Sequence, residues 1–286
     1  MHLVRDKAAL LGQALNLAPY DALVDEFSPG IGMSDIDTMF KALSRRVPSL
    51  IREVIAHQER SPRLPITGNF PRGKQKSLVT EIMRGIGFPF DRGRLDESEH
   101  AFTEGVPGDI RVTTRFDTAD VFTGLLGALH ETGHAMYDLG LPKDLRDQPV
   151  GQDRGMALEE SQSLLIEMIV CRSRPFVEYL KPLLEKHFGV TGPEWSVDNL
   201  YAHLTRVRRS LIRVDADELT YPLHIMLRYE LEKRLLSGEL AVRELPEAWN
   251  AGMEQRLGIR PTNDAHGCLQ EDRKSTRLNS SHPYRS

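Results

Sequence analysis

The 286 residues carry 37 Lys+Arg against 41 Asp+Glu, a net charge of −4, with only two cysteines. A chain of this length that is 40% hydrophobic and 27% charged buries a sizeable core, which excludes wholesale disorder, and its charge balance gives nucleic-acid binding no electrostatic support. No apolar run reaches the roughly eighteen residues of a membrane span, and Met1 to Asp6 lacks the apolar core of a signal peptide. Cys171 and Cys268 alone make no disulfide framework, which favours a reducing, cytoplasmic setting.

In chain order, residues 35–57 place Ile36, Met39, Phe40, Leu43, Val47, Leu50, Ile51 and Val54 at three- and four-residue spacings, an amphipathic helix that Pro48 is expected to split. Residues 59–74, rich in Pro and Gly, read as a loop, and a helix follows from Gln75 to Gly85. Residues 109–116, β-branched at nearly every second place after Pro107-Gly108, read as a short strand in a pair that lines a cleft. Long helices are then expected over 119–138, 156–186, 198–213, 216–237 and 245–256. The pattern ends near Gln270. Residues 1–270 therefore read as one mostly α-helical unit, and 271–286 as a non-native or disordered tail.

The central motif is His130-Glu131-Thr132-Gly133-His134, which fits H-E-x-x-H. On a helix, residues four apart share a face, so both imidazoles can reach one ion. Glu131 is turned about 100° away, where it can take a proton from metal-bound water without ligating the metal. Asp117 or Thr118 is expected to cap this helix. Zinc needs a third protein ligand, and Glu159-Glu160 opens the next long helix. Composition does not choose between the two glutamates.

Several ordered motifs resemble the carboxypeptidase Taq family of zinc metallocarboxypeptidases. Asp109-Ile110-Arg111-Val112-Thr113 fits D-x-R-x-T, and the zinc pentad follows it. Glu160-Ser161-Gln162-Ser163 fits the end of H-E-S-Q-S; Ile212 to Asp217 fits I-R-x-x-A-D; Gly267 to Gln270 begins G-x-x-Q-D-x-H-W. His100 and Phe102 fit H-P-F, with Ala101 in place of proline. The resemblance implies a mostly helical, neurolysin-like fold with a central groove. It implies zinc, with cobalt as a substitute, on His130, His134 and Glu160, with Glu131 as general base. It also implies peptide substrates with a free C-terminus, a homodimer, and a longer protein of which this chain is an internal fragment.

Within that resemblance, His100 or His224 is a candidate donor to the tetrahedral oxyanion, although a packed helix histidine is as good a reading of His224. Asp109, Arg111 and Thr113 are expected at a strand edge that binds an extended peptide. Arg213 is the candidate anchor for a terminal carboxylate, against a plainer role paired with Asp215 or Asp217. Two departures stand out. Glu159 replaces the family's histidine, which is expected to change a contact behind the metal and lower zinc affinity; after Gln270 the family pattern is lost, with Glu271 for the aspartate and Arg273-Lys274 for His-Trp, and residues 272–286 resemble translated library-adapter sequence. The leading expectation is a zinc metallocarboxypeptidase; the alternatives are an oligoendopeptidase on the same fold, or an inactive fragment that binds zinc or peptide.

Overall fold

Apolar residues at helical spacing dictate helices through most of the chain. A computed structural model describes residues 1–270 other than Pro62 and Pro107, and shows ten α-helices and three short strands among them. They fall into two compact units, residues 1–61 with 206–270, and residues 63–205. The chain begins in the first unit with α1 (His2–Leu15), α2 (Pro19–Asp25) and α3 (Met33–Glu59). It builds the second from α4 (Arg72–Ile86), β1 (Gly93–Glu97), β2 (Phe102–Val106), β3 (Asp109–Thr114), α5 (Val121–Gly140), α6 (Met156–Leu164), α7 (Arg174–Phe188) and α8 (Val197–Leu204). It returns to the first with α9 (Tyr221–Ser237) and α10 (Leu245–Leu257). Residues 271–286, expected to be a tail, lie outside the described residues.

In the first unit α3 runs unbroken through Pro48. Val47 and Ile51, on either side of the proline, are buried in a core with Met226, Leu227, Trp249 and Met253. That packing outweighs the one N–H hydrogen bond that proline removes. The helix expected over 198–213 stops at Leu204. Beyond it the donors that would continue a helix are taken by side chains: Val207 N–H donates to Gln58 Oε1 at 3.1 Å and Arg208 N–H to Asp217 Oδ2 at 2.9 Å.

In the second unit the sheet has the order β1-β3-β2, with β1 parallel and β2 antiparallel to β3. β3 is thus the central strand, which corrects the expectation of an edge. Ile110, Val112 and Thr114 point alternately inward against α5, and Val112 is fully buried. Strands β1 and β2 escape the sequence pattern because Gly-Arg-Leu-Asp-Glu holds one apolar residue and Phe-Thr-Glu-Gly-Val is broken by Gly105. A side chain at Gly105 would collide with the Asp109 carbonyl, so glycine there lets β2 and β3 pair.

The helix expected over 156–186 is three pieces. α6 widens into a π-helical turn at Leu165–Val170, and a new helix starts at Ser173, whose Oγ accepts from Phe176 N–H at 3.3 Å with Pro175 in the first turn.

Candidate metal centre

α5 is the element on which the site is built. Asp120, not Asp117 or Thr118, caps it: Oδ1 accepts from Phe122 N–H at 2.8 Å and Oδ2 from Thr123 Oγ1 at 2.6 Å. The helix is enclosed by the sheet and by α6, with Leu125 and Leu129 fully buried, each contributing about 1.5–3 kcal/mol. Two glycines set how closely its neighbours approach. A methyl group on Gly124 would lie 2.8 Å from the Arg115 carbonyl at the end of β3. One on Gly133 would lie 2.5 Å from Ser163 Cα and 2.7 Å from the Gln162 carbonyl. Gly133, the residue before His134, is therefore where the backbone of α6 rests on α5. This contact brings the first turns of α6 up to the two histidines.

Ligand atoms of His130, His134 and Glu160 lie within 4.8 Å of one another. Glu160 Oε1 is 3.7 Å from His130 Nε2, and its Oε2 is 3.4 Å from His134 Nε2. Ligands bonded at 2.0–2.2 Å around a tetrahedral ion are separated by roughly 3.4 Å, so the two nitrogens and the carboxylate fit a divalent cation. Between the two glutamates that composition left open, Glu160 meets both Nε2 atoms. Glu159 Oε1 instead stands 3.3 Å from His134 Nδ1, on the far side of that ring.

The charge around the rings supports the same reading. Burial opposes protonation of His134, but hydrogen bonds to Glu159 and Glu160 and the charge of Glu131 overcome it, and its pKa is pushed up to about 10. His130 is raised in the same way, burial being outweighed by the Glu167 hydrogen bond and the charges of Glu131 and Glu160. A pocket that favours a proton on each imidazole favours a divalent cation there too. Glu131 is buried, and burial raises its carboxyl above the ordinary range against the pull of His130 and a hydrogen bond from Thr103.

Three contributors were missed by sequence reasoning. Thr103 Oγ1, on β2, lies 2.8 Å from both the Glu131 carbonyl oxygen and Glu131 Oε2. Glu167, in the π-helical turn, has Oε2 2.9 Å from His130 Nδ1. Arg172 donates to Glu167 Oε1 at 3.1 Å. Seven residues separate Glu160 from Glu167, two helical turns, which is the signal that could have found it. Thr103 carried none, because the contact depends on how β2 pairs.

The other expected residues fall as follows. Asp109 and Arg111 hold each other through two hydrogen bonds of 2.8 and 2.5 Å. Thr113 Oγ1 accepts from Ser98 Oγ at 2.7 Å and donates to the His100 carbonyl at 3.2 Å, so it ties down the loop between β1 and β2 on which the exposed His100 stands. Arg213 and His224 belong to the other unit. Arg213 Nη1 donates to the Tyr221 hydroxyl at 3.0 Å, in a single turn between α8 and α9. Asp217 is taken up by the backbone N–H groups of Arg208, Leu219 and Thr220. His224 is fully buried within α9.

The profile of the carboxypeptidase Taq (M32) metallopeptidases matches residues 1–273. The chain is 40% identical over 255 residues to carboxypeptidase 1 of Bacillus subtilis, covering 88% of this chain and 51% of that protein. It is 35% identical over 253 residues to thermostable carboxypeptidase 1 of Thermus thermophilus, covering 88% and 49%. Among solved structures, metallocarboxypeptidase 1 of Trypanosoma cruzi superposes with a TM-score of 0.90 at 40% identity, over 94% of this chain and 56% of that one. The M32 carboxypeptidase of Deinococcus radiodurans superposes with a TM-score of 0.86 at 34% identity, over 94% and 54%. The chain thus spans about half the length of the relatives it matches.

Proposed function

Because the chain belongs to the carboxypeptidase Taq (M32) family of metallopeptidases, we propose that it carries the catalytic centre of a zinc-dependent carboxypeptidase, one that removes C-terminal residues from peptides. The observation that carries this reading is the convergence of Glu160 on both Nε2 atoms of the pentad. His130, His134 and Glu160 would hold zinc, or cobalt in its place. Bound there, the ion supplies a Lewis acid for the scissile carbonyl and acidifies water.

Glu131 acts as general base. Thr103 holds Oε2, which leaves Oε1 to take the proton and return it to the departing amine. Burial, by raising the proton affinity of this carboxylate, suits it to both halves of that task. His100 or His224 is the proposed donor to the oxyanion, and Arg213, whose planar fork suits bidentate recognition, is the proposed anchor for the terminal carboxylate. Asp109, Arg111 and Thr113 complete the proposed substrate groove. A peptide adding to the sheet here would use the outer edge of β1 or of β2, since both edges of β3 are paired. The homodimer and the cytoplasmic setting complete the proposal. Among the described residues no helix is long and apolar enough to cross a membrane.

The test pairs metal analysis with hydrolysis of one peptide as free acid and as C-terminal amide. Glu131→Gln should retain zinc while hydrolysis falls by about 10²-fold or more. Loss of zinc in that variant, or equal cleavage of acid and amide, would overturn the reading.

A further inference from the structure

Each ring of the pentad has two nitrogens, and an ion takes one of them. What the other nitrogen meets decides which tautomer the ring adopts and how freely it turns. For His130 the second nitrogen, Nδ1, lies 2.9 Å from Glu167 Oε2. Glu167 is no solvated surface carboxylate: its side chain is 16% exposed, and its other oxygen accepts from Arg172 Nη2 at 3.1 Å. Arg172 is as deeply placed, 15% exposed, and its Nη1 donates to the Leu204 carbonyl at 3.0 Å, at the end of α8. The result is an unbroken chain of hydrogen bonds, from a helix-terminal carbonyl through a guanidinium and a carboxylate to the imidazole. All of it lies in one unit of the fold.

The local backbone makes this possible. Glu167 sits in the π-helical turn Leu165–Val170, which continues the helix that carries Glu160. One continuous segment thus presents one carboxylate to His130 Nε2 and another, two turns on, to His130 Nδ1. π-Helical turns are rare and are frequently found at functional sites.

We propose that Glu167, clamped by Arg172, is a positioning residue that keeps His130 protonated on Nδ1 and aims its Nε2 at the metal. The proposal rests on the metal-site reading above and adds to it a residue that touches neither metal nor substrate. With this contact intact, His130 reaches the ion already oriented, so no ring rotation has to be frozen on binding.

Two measurements on the full chain test it. The first is zinc affinity by competition with a chromophoric chelator, for the parent, Glu167→Ala, Glu167→Gln and His130→Ala. Glu167→Ala should weaken zinc binding about 10- to 100-fold. Glu167→Gln, whose amide oxygen still accepts from Nδ1–H, should recover most of that loss. The second needs no variant: long-range 1H–15N correlation on the zinc-loaded parent should show His130 protonated at Nδ1. Glu167→Ala affinity within about twofold of the parent, or no rescue by glutamine, would overturn the proposal while leaving the metal site in place, whereas a proton found on Nε2 would overturn both, since a protonated nitrogen cannot bind the ion. If His130→Ala binds zinc as the parent does, the metal-site reading itself falls. If Glu167→Ala does not fold, the glutamine variant and the parent spectrum still decide.

Discussion

Replacing Gly133 by alanine adds one methyl group at the fourth place of the pentad, next to His134. On helix propensity alone the change should stabilise, because alanine is favoured over glycine by about 0.8–1.0 kcal/mol in a helix interior. Packing argues the other way. The new carbon would lie 2.5 Å from Ser163 Cα, 2.7 Å from the Gln162 carbonyl and 2.9 Å from Ser163 N. All three are backbone atoms, so no side chain can swing aside. Ordinary carbon contacts begin near 3.5 Å, so α6 must retreat by about 1 Å. Overpacking of this kind costs about 1–3 kcal/mol, which exceeds the propensity gain. The retreat also carries Glu160, three residues from the clash, away from His130 and His134, whereas metal ligands tolerate displacements of about 0.2 Å. Gly133→Ala should therefore lower both the melting temperature and zinc affinity, the latter by roughly 10-fold or more. Circular dichroism melts and chelator competition measure the two. A variant that melts higher than the parent and binds zinc equally well would refute the argument, since propensity would then have won and the α5–α6 contact would be soft.

Glu160→Ala should reduce zinc occupancy far more than Glu159→Ala, because Glu160 meets both Nε2 atoms whereas Glu159 stands behind His134; elemental analysis showing equal losses would contradict this. Thr103→Val removes the hydroxyl that holds Glu131 Oε2, a bond to a charged group worth about 1.5–3 kcal/mol, and should slow hydrolysis about 10-fold or more while bound zinc is unchanged. Asp37, away from the site, accepts a hydrogen bond from Lys233 and another from Tyr229, and the two hold its carboxyl below the ordinary range. Its contribution is present above the ordinary carboxylate pKa and is lost as pH falls through the lowered folded value. Asp37→Asn should thus cost at most about 1 kcal/mol near neutral pH, being half exposed, and the gap in urea titrations should close in acid. A gap independent of pH would show that the charge is not what matters.

Features set by neighbours along the chain were legible in the sequence. His130 and His134 share a face because four residues make about one helical turn, and Glu131 leaves that face for the same reason. The strand at Asp109–Thr114 announced itself through β-branched residues, and α4, α5, α9 and α10 through apolar spacing. Features set by distant partners were not. α3 ignores Pro48 because Val47 and Ile51 are buried on either side of it. Arg94 and Asp96 flank a single buried Leu95, yet β1 forms because β3 offers it a ladder. The choice of Glu160 over its neighbour, the grip of Thr103 on Glu131, and the backing of His130 by Glu167 depend on α6 and β2 arriving against α5 at particular heights. Glycines 133 and 105 permit that approach, and they do so by the absence of a side chain, which leaves no periodicity to read. Local spacing therefore names the two histidines and Glu131, whereas their orientation is a long-range property of how three elements pack.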